Sequence, residues 1–383
     1  MATEKIYYQD AHQAAFQARV LSCQPGKHGY DVVLDRTCFY PEGGGQPGDT
    51  GFLSGVRVTD THERSGEIVH FCEQPLAEGQ TVDGQIDYER RFAFMQLHSG
   101  EHILSGVVHR RFGYENVGFH MGADFVTIDF SGMLTPEELS AAEAEANEWV
   151  WKNVPIEIAY PDAEALKTIP YRSKKELNGQ VRIVTIPGAD ICACCGTHVS
   201  NTGEIGLIKI FSCVKFHDGV RLELLCGRRA LAYLSEIAEQ NRRVSGLLSA
   251  KPLETAAAVQ RLLDAEAAQK QRAAGLEEAV FAQKAQALMG KGNVLLFEPA
   301  MSPDSLRRLT DLVMSACGGR AAIFAGGDAE GYKYAVGEQN GDLRQLVKDL
   351  NAQLHGRGGG KPFFVQGSVQ TGRAEIEAFF AGR

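Results

Sequence analysis

From Arg228 to Leu288 the chain carries one proline, Pro252, and is dominated by alanine, glutamine, glutamate and leucine. Residues of this kind favour helix over every alternative, and a helix rises only about 1.5 Å per residue. A segment of this length therefore predicts long helices that protrude from any compact core. Its apolar positions, among them Leu262, Leu263, Leu276, Val280 and Leu288, form heptads too irregular to prove a dimer. The reading is a partly exposed helical hairpin or coiled-coil arm over 231–289. It splits the chain into globular parts before and after it.

The part before the arm is itself two patterns. Short alternating or apolar stretches at 16–23, 30–34, 51–59, 67–72 and 80–87, separated by Gly, Asp and Pro, predict a small β-barrel over 1–89. Inside it, DRTCFYPEGGGQPGDTG (Asp35 to Gly51) holds three consecutive glycines, a poor strand but a place where backbone can approach a ligand. From Arg90 the period changes. Phe92, Met95, Leu97, Ile103, Leu104 and Val107 predict a helix over 90–111, stopped by Gly113. Thr135, Pro136 and Glu138 form a helix start with a capping box. Strands near 117–121, 124–130, 155–160, 180–186, 205–216 and 219–226, with a short helix at 161–168, complete an α+β domain over 90–230. After the arm, 290–383 alternates strands and helices around a glycine run, an α/β domain. The fold class is thus multidomain α+β.

Charge and cysteine content narrow the function classes. Forty-eight acidic against thirty-nine basic residues give a net charge of −9, which excludes a nonspecific nucleic-acid coat but allows local basic patches. Acidic outnumber basic side chains fourteen to seven in the first ninety residues. Basic doublets come later, at Arg110-Arg111, Lys174-Lys175, Arg228-Arg229, Arg242-Arg243 and Arg307-Arg308. No apolar run approaches the ~20 residues that span a bilayer, and the N-terminus has no apolar leader core, so a cytoplasmic protein with no membrane contact is expected. The nine cysteines are odd in number, which favours free thiols or metal ligands over disulfides. Cys23, Cys38, Cys72, Cys213, Cys226 and Cys317 read as packing residues. Cys192, Cys194 and Cys195 fall together in CACCGTH.

His98 and His102 lie four apart on the predicted helix, on one face and able to share an ion. Cys194 and His198 are also four apart, on a loop with a glycine between. Two imidazoles plus a Cys/His pair make a mixed nitrogen and sulfur set suited to tetrahedral Zn²⁺. Spacing alone leaves Cys192 and Cys195 as rivals to Cys194. HSGEH also matches the H-x-x-E-H peptidase pattern, in which Glu101 would be the general base, but that reading leaves CACCGTH without a role.

HSGEH, followed some ninety residues later by CCGTH, resembles the zinc ligands of the alanyl-tRNA synthetase editing domain. DRTCFYPEGGGQPGDTG is similar to a signature of the same family. GEIGLIKIFSCVKFHDGVRLELLCGRRAL resembles the segment that follows its Cys/His motif. GRGGGKPFFVQG, Gly356 to Gly367, resembles the glycine-rich motif of the synthetase C-terminal domain. The resemblance covers essentially the whole chain, with the motifs in order. Nothing before Asp35 resembles an aminoacylation core, so it implies a free-standing editing protein of the long AlaX type.

That resemblance carries expectations. The partner would be tRNA(Ala) mischarged with serine or glycine, hydrolysed in trans with zinc held by His98, His102, Cys194 and His198. Thr37 would sense the seryl hydroxyl, Gln46 would line the entrance with the glycine loop, and Glu101, turned from His98, would be no clean general base and would instead support the zinc ligands. Gly43, Gly44 and Gly45 would line the entrance, and Gly358, Gly359, Gly360 and Lys361 would contact RNA. The family's C-G-G-T-H reads C-C-G-T-H here, with Cys195 in place of a glycine. The arm leaves open a spacer role or a homodimer, through itself or the C-terminal domain. A zinc-stabilised tRNA-binding protein without hydrolysis is the alternative.

Overall fold

The computed structural model describes residues 2–27, 29–173 and 180–382. The Lys174-Lys175 doublet lies outside them. Contacts divide the chain into two compact units, Met1–Arg242 and Arg243–Arg383.

In the first unit, six strands pair in the order Ala15–Gly26, Gly29–Leu34, Glu67–Cys72, Val56–Arg64, Gly51–Leu53, Thr81–Ile86 and back to Ala15–Gly26, a closed barrel. Alternation explains the inside: Phe16, Ala18 and Val20 are buried while Ala15, Gln17 and Arg19 are exposed. Register shifts between Val20 and Ser22 and between Val58 and Asp60 supply the bends that closure requires. Val32, Leu34, Phe39, Leu53, Val58 and Val82 fill the centre.

Helix α1, Tyr88–Phe112, follows directly and ends on left-handed Gly113. Its middle, from Phe94 to Val108, is buried on every side, because the helix runs through the core between a sheet and a second helix. Four antiparallel strands form that sheet in the order Ile208–Phe216, Gly219–Cys226, Val126–Phe130, Asn116–Met121. Helix α2, Pro136–Lys152, starts with both hydrogen bonds of the Thr135/Glu138 capping box. A short helix α3, Ala163–Leu166, precedes the last two strands of a three-stranded sheet, Glu157–Ala159, Ile183–Ile186, Asp190–Ala193. The strand Asp190–Ala193 has no counterpart among the sequence expectations.

One buried residue ties barrel to helix. Arg91 is fully buried, ion-paired to Asp49 and donating to the carbonyls of Cys38 (2.6 Å) and Ala11 (3.0 Å). Asp49 also accepts from the Tyr40 amide at 2.7 Å. The first turn of α1 thereby grips both ends of the glycine-rich loop.

The segment read as an arm forms α4, Gly227–Leu248, and α5, Thr255–Ala287. In the second unit the strands run Gly292–Glu298, Gly318–Gly327, Gly331–Gly337, Phe364–Val369, Arg357–Lys361, with only the first pair parallel. Ala321, Ile323 and Ala325 face α6, Pro303–Cys317, and the end of α5. Ala322 and Phe324 face α7, Arg344–Gln353, and α8, Arg373–Phe380. The glycine run is therefore an edge strand. Among the described residues no helix is long and apolar enough to cross a membrane.

Candidate metal centre and cavity

Helix α1 carries His98 and His102 one turn apart, and the loop after Asp190–Ala193 carries Cys194 and His198. Their ligand atoms lie within 4.8 Å of one another, and all three histidines are about 98% buried. The His98–His198 and His102–His198 ring centroids are 4.5 and 4.8 Å apart, and His98 Nε2 is 3.3 Å from Cys194 Sγ. Gly196 is required for this approach, since a Cβ there would fall 2.0 Å from His98 Cε1.

The surroundings aim each ring. His98 Nδ1–H donates to Gln46 Oε1 at 3.2 Å, which leaves Nε2 for the cluster. His102 Nδ1–H donates to Asp190 Oδ2 at 2.9 Å, and Asp190 is held by Arg172 through two bonds of 2.8 and 2.9 Å. Both arrangements are the outer partners that metal-binding histidines keep. His198 has neither nitrogen satisfied although both are buried. A buried polar group without a partner is costly, and an ion at the centre of the four residues would supply it. Three imidazoles and a thiolate fit zinc.

The cysteines separate by environment. Burial opposes a thiolate at Cys194, but His98, His102 and His198 beside it outweigh burial and hold its pKa well below the usual thiol range. Burial pushes the Cys192 thiol up to about 11 and raises Cys195 as well. Cys194 is the cysteine whose surroundings favour a thiolate within the cluster. Cys195 is exposed and does not sit in the left-handed region, so its side chain costs the loop no backbone strain. Burial, and then the neighbouring His98, bring the His198 pKa down to about 3, and a neutral imidazole is the form that binds metal.

Above the cluster opens a cavity of about 540 Å³, lined by Gly44, Gly45, His98, His102, Phe119 and Arg182 among others. The Gly45 carbonyl accepts from the Met121 amide at 3.0 Å, and Gly43 and Gln46 bond each other's backbone at 3.0 Å. Gly45 has φ +83° and packs directly on Phe119, where any side chain would collide. Phe119 in turn stacks on His98 at 5.2 Å.

Of three further expected site residues, Gln46 and Glu101 stand behind the histidines, Glu101 Oε2 lying 3.9 Å from His102 Nε2, and Thr37 stands inside the barrel. Gln46 is fully buried behind His98, its amide bonding Thr197 Oγ1 at 2.9 Å, its carbonyl oxygen accepting from the Thr197 amide at 3.1 Å. It orients a ligand and does not line the cavity. Glu101 is buried too, accepting from Ser105 Oγ at 2.7 Å and Asn116 Nδ2 at 2.5 Å. The peptidase reading needs a carboxylate ligand from α2, but Glu143 bonds Lys209 and the Ile210 amide, and Glu145 bonds Arg110. Thr37 lies within the barrel at zero exposure. Because His70 Nδ1–H donates to the Val32 carbonyl at 3.1 Å, the Thr37 hydroxyl donates to His70 Nε2 at 2.8 Å, and it accepts from the Phe39 amide at 3.0 Å. Both its hydrogen-bonding functions are taken, and it is not on the cavity wall. In the second unit, Gly359, Gly360 and Lys361 are exposed on the edge strand and Gly358 is half-buried.

Sequence reasoning missed Asp190, Arg172, Arg182, Asn116 and Phe119. Asp190, four residues before Cys194, was the one of these legible in principle, as a carboxylate near a ligand pair.

Comparison with known proteins adds the lineage. The chain is 29% identical to the alanyl-tRNA editing protein AlaX-L of Pyrococcus horikoshii over 97% of its own length and 96% of that protein's. Three family models match in order. They are tRNA synthetases class II (A) over residues 2–90, the threonyl and alanyl tRNA synthetase second additional domain over 181–245, and the DHHA1 domain over 290–381. Over nearly its whole length the chain is thus similar to an alanyl-tRNA editing protein, and its matched domains are ones that alanyl-tRNA synthetases carry. Alanine–tRNA ligases of Pyrobaculum arsenaticum and Pyrobaculum calidifontis match at 32% and 34% identity over 95% and 97% of this chain. It spans only 42% and 43% of their length, so it corresponds to part of a ligase. The solved C-Ala domain of Aquifex aeolicus alanyl-tRNA synthetase matches 22% of the chain at 15% identity, with a TM-score of 0.20.

Proposed function

We propose that this protein is an aminoacyl-tRNA hydrolase that removes serine, and also glycine, from tRNA(Ala) in trans. One observation carries the reading: four metal donors, three buried histidines and the partly buried Cys194, converge on a cavity of about 540 Å³ whose wall includes the glycine loop. That volume lies within the ~300–1,000 Å³ typical of small-molecule sites and suits a terminal nucleoside ester. Zinc bound there would polarise an ester carbonyl and lower the pKa of water. The protein's own contribution is positional. Gln46 and Asp190 fix the rings of His98 and His102, the imidazoles hold Cys194 as thiolate, and the backbone at Gly44 and Gly45 leaves room for the terminal adenosine. Phe119 offers that adenosine an apolar face.

The edge strand with Gly358, Gly359, Gly360 and Lys361 is the proposed RNA contact of the second unit. The exposed Leu262, Leu263, Leu276 and Val280 of α5 are the surface a second copy would cover in a homodimer. Sedimentation at two concentrations checks the latter.

The deciding experiment is deacylation of seryl-tRNA(Ala) beside alanyl-tRNA(Ala), with zinc measured on the same protein. Selective loss of serine with about one zinc per chain supports the reading. Four protein ligands also suit a closed structural site, and that favours the second reading, a zinc-stabilised tRNA-binding protein. It would bind tRNA and leave the ester intact.

A further inference from the structure

Arg182 stands on the cavity wall, yet it is only 5% exposed. Its NH1 donates to the carbonyls of Cys194 (2.8 Å) and Gly196 (3.1 Å), and its guanidinium lies 5.1 Å from the Tyr8 ring centre. The Tyr8 hydroxyl donates to the Cys195 carbonyl at 3.0 Å. Together these bonds brace the turn that carries the thiolate. They do not balance the charge. Arg182 Nε is buried with no partner, and among the described residues no carboxylate pairs with this guanidinium.

Buried charges are ordinarily paired. Among the described residues no carboxylate lines the cavity, and Arg182 is the one lysine or arginine that does. The donor set below adds a single negative charge, that of Cys194, against whatever dication it holds. Among the described residues the cavity wall therefore offers a guanidinium with an unfilled edge and no carboxylate to pair with it. An anion is the complement, and planar guanidinium recognises phosphate oxygens through charge-assisted bonds.

We infer that Arg182 is a phosphate seat: it takes the phosphodiester on the 5′ side of the terminal nucleotide while the ester reaches the cluster. This rests on the editing reading above and deepens it, by naming which part of the substrate this wall recognises. The carbonyl bonds made by NH1 hold the fork in place before substrate arrives, so the same residue braces the loop and reads the phosphate.

The test uses two small esters that differ only in that phosphate, adenosine and adenosine 5′-monophosphate, each carrying serine on a ribose hydroxyl. Wild-type protein should cleave the phosphorylated ester with a kcat/KM about tenfold to a hundredfold higher, the range of one hydrogen bond to a charged group. Arg182→Gln should lose that difference, mainly through KM, while zinc content stays near that of the wild type. Because that variant also removes a brace, a second measurement needs no variant: adenosine 5′-monophosphate should inhibit wild-type protein more strongly than adenosine. Equal slowing of both esters by Arg182→Gln, with zinc lost, would mean a brace only and overturn the proposal. So would equal inhibition by the two nucleosides. Wild-type protein that cleaves seryl-tRNA(Ala) but treats both esters alike sinks the phosphate seat and leaves editing standing. Protein that cleaves no seryl ester overturns both.

Discussion

Asp190 accepts from His102 Nδ1 and is clamped by Arg172, so its carboxylate sets both the tautomer and the tilt of one metal ligand. Asp190→Asn keeps the shape but weakens that hold, and metal affinity should fall about tenfold to a hundredfold, read by competition with a zinc chelator. Unchanged affinity would mean His102 is oriented by packing alone. Thr37 and His70 make a different kind of pair, remote from the ligands and sealed in the barrel. Thr37→Val leaves His70 Nε2 without a donor and the Phe39 amide without an acceptor. It should cost about 1–3 kcal/mol of stability, with Thr37→Ser recovering most of it in urea unfolding. Selection of serine over alanine should survive Thr37→Val, since the hydroxyl does not face the cavity. Burial brings the His70 pKa down from 6.5 to about 4, against the opposing Val32 hydrogen bond. The unfolded chain therefore takes up a proton before the folded one does. The stability tied to His70 is complete above about pH 6.5 and declines as pH falls toward about 4, by about 3 kcal/mol in total. Urea midpoints of the wild type and His70→Gln, compared across that window, should show a shallower slope in the variant.

At the scale of elements, helix α1 does two jobs, and sequence revealed only one of them. Its extent and its stop at Gly113 followed from apolar spacing, and so did the shared face of His98 and His102. The capping box of α2 was equally plain, because caps are local chemistry. What sequence could not show was the joint between barrel and helix. Arg91 reads as a solvated arginine, and only the fold brings Asp49 and the Cys38 carbonyl to it. Arg91→Ala should cost about 3–5 kcal/mol, the range for removing one partner of a buried ion pair, with both barrel and helix losing amide-exchange protection. The burial of Gln46 and Thr37 was hidden for a related reason. The motif that contains them was legible, but which side of its loop faces the cavity depends on bonds to Thr197 and His70, far away in sequence. Strand Asp190–Ala193 escaped because four residues between turns carry too little pattern. The glycine run was seen as a motif and not as an edge strand. Lys361→Ala on that exposed strand should weaken tRNA binding and reduce its salt slope by about 0.7 to 0.9, the value of one phosphate contact. Cleavage of a seryl-adenosine ester by the same variant should not change, as the strand belongs to the other unit.

For the whole molecule, the boundary near Arg242 has an energetic consequence. All four metal donors lie in the first unit, and the second has two apolar cores of its own, one on each face of its sheet. A unit with its own core can unfold independently, and a ligand stabilises only the unit whose folded form binds it. Calorimetry should therefore resolve two transitions. Stripping metal with a chelator should lower the first unit's transition by several degrees, since the unsatisfied His198 and the buried thiolate then stand uncompensated. The second unit's transition should not move. A single transition that falls as a whole on chelation would mean that metal and edge strand belong to one cooperative structure. Separate transitions would mean that the exposed edge strand of the second unit can change without disturbing the metal cluster, because the two draw on different cores.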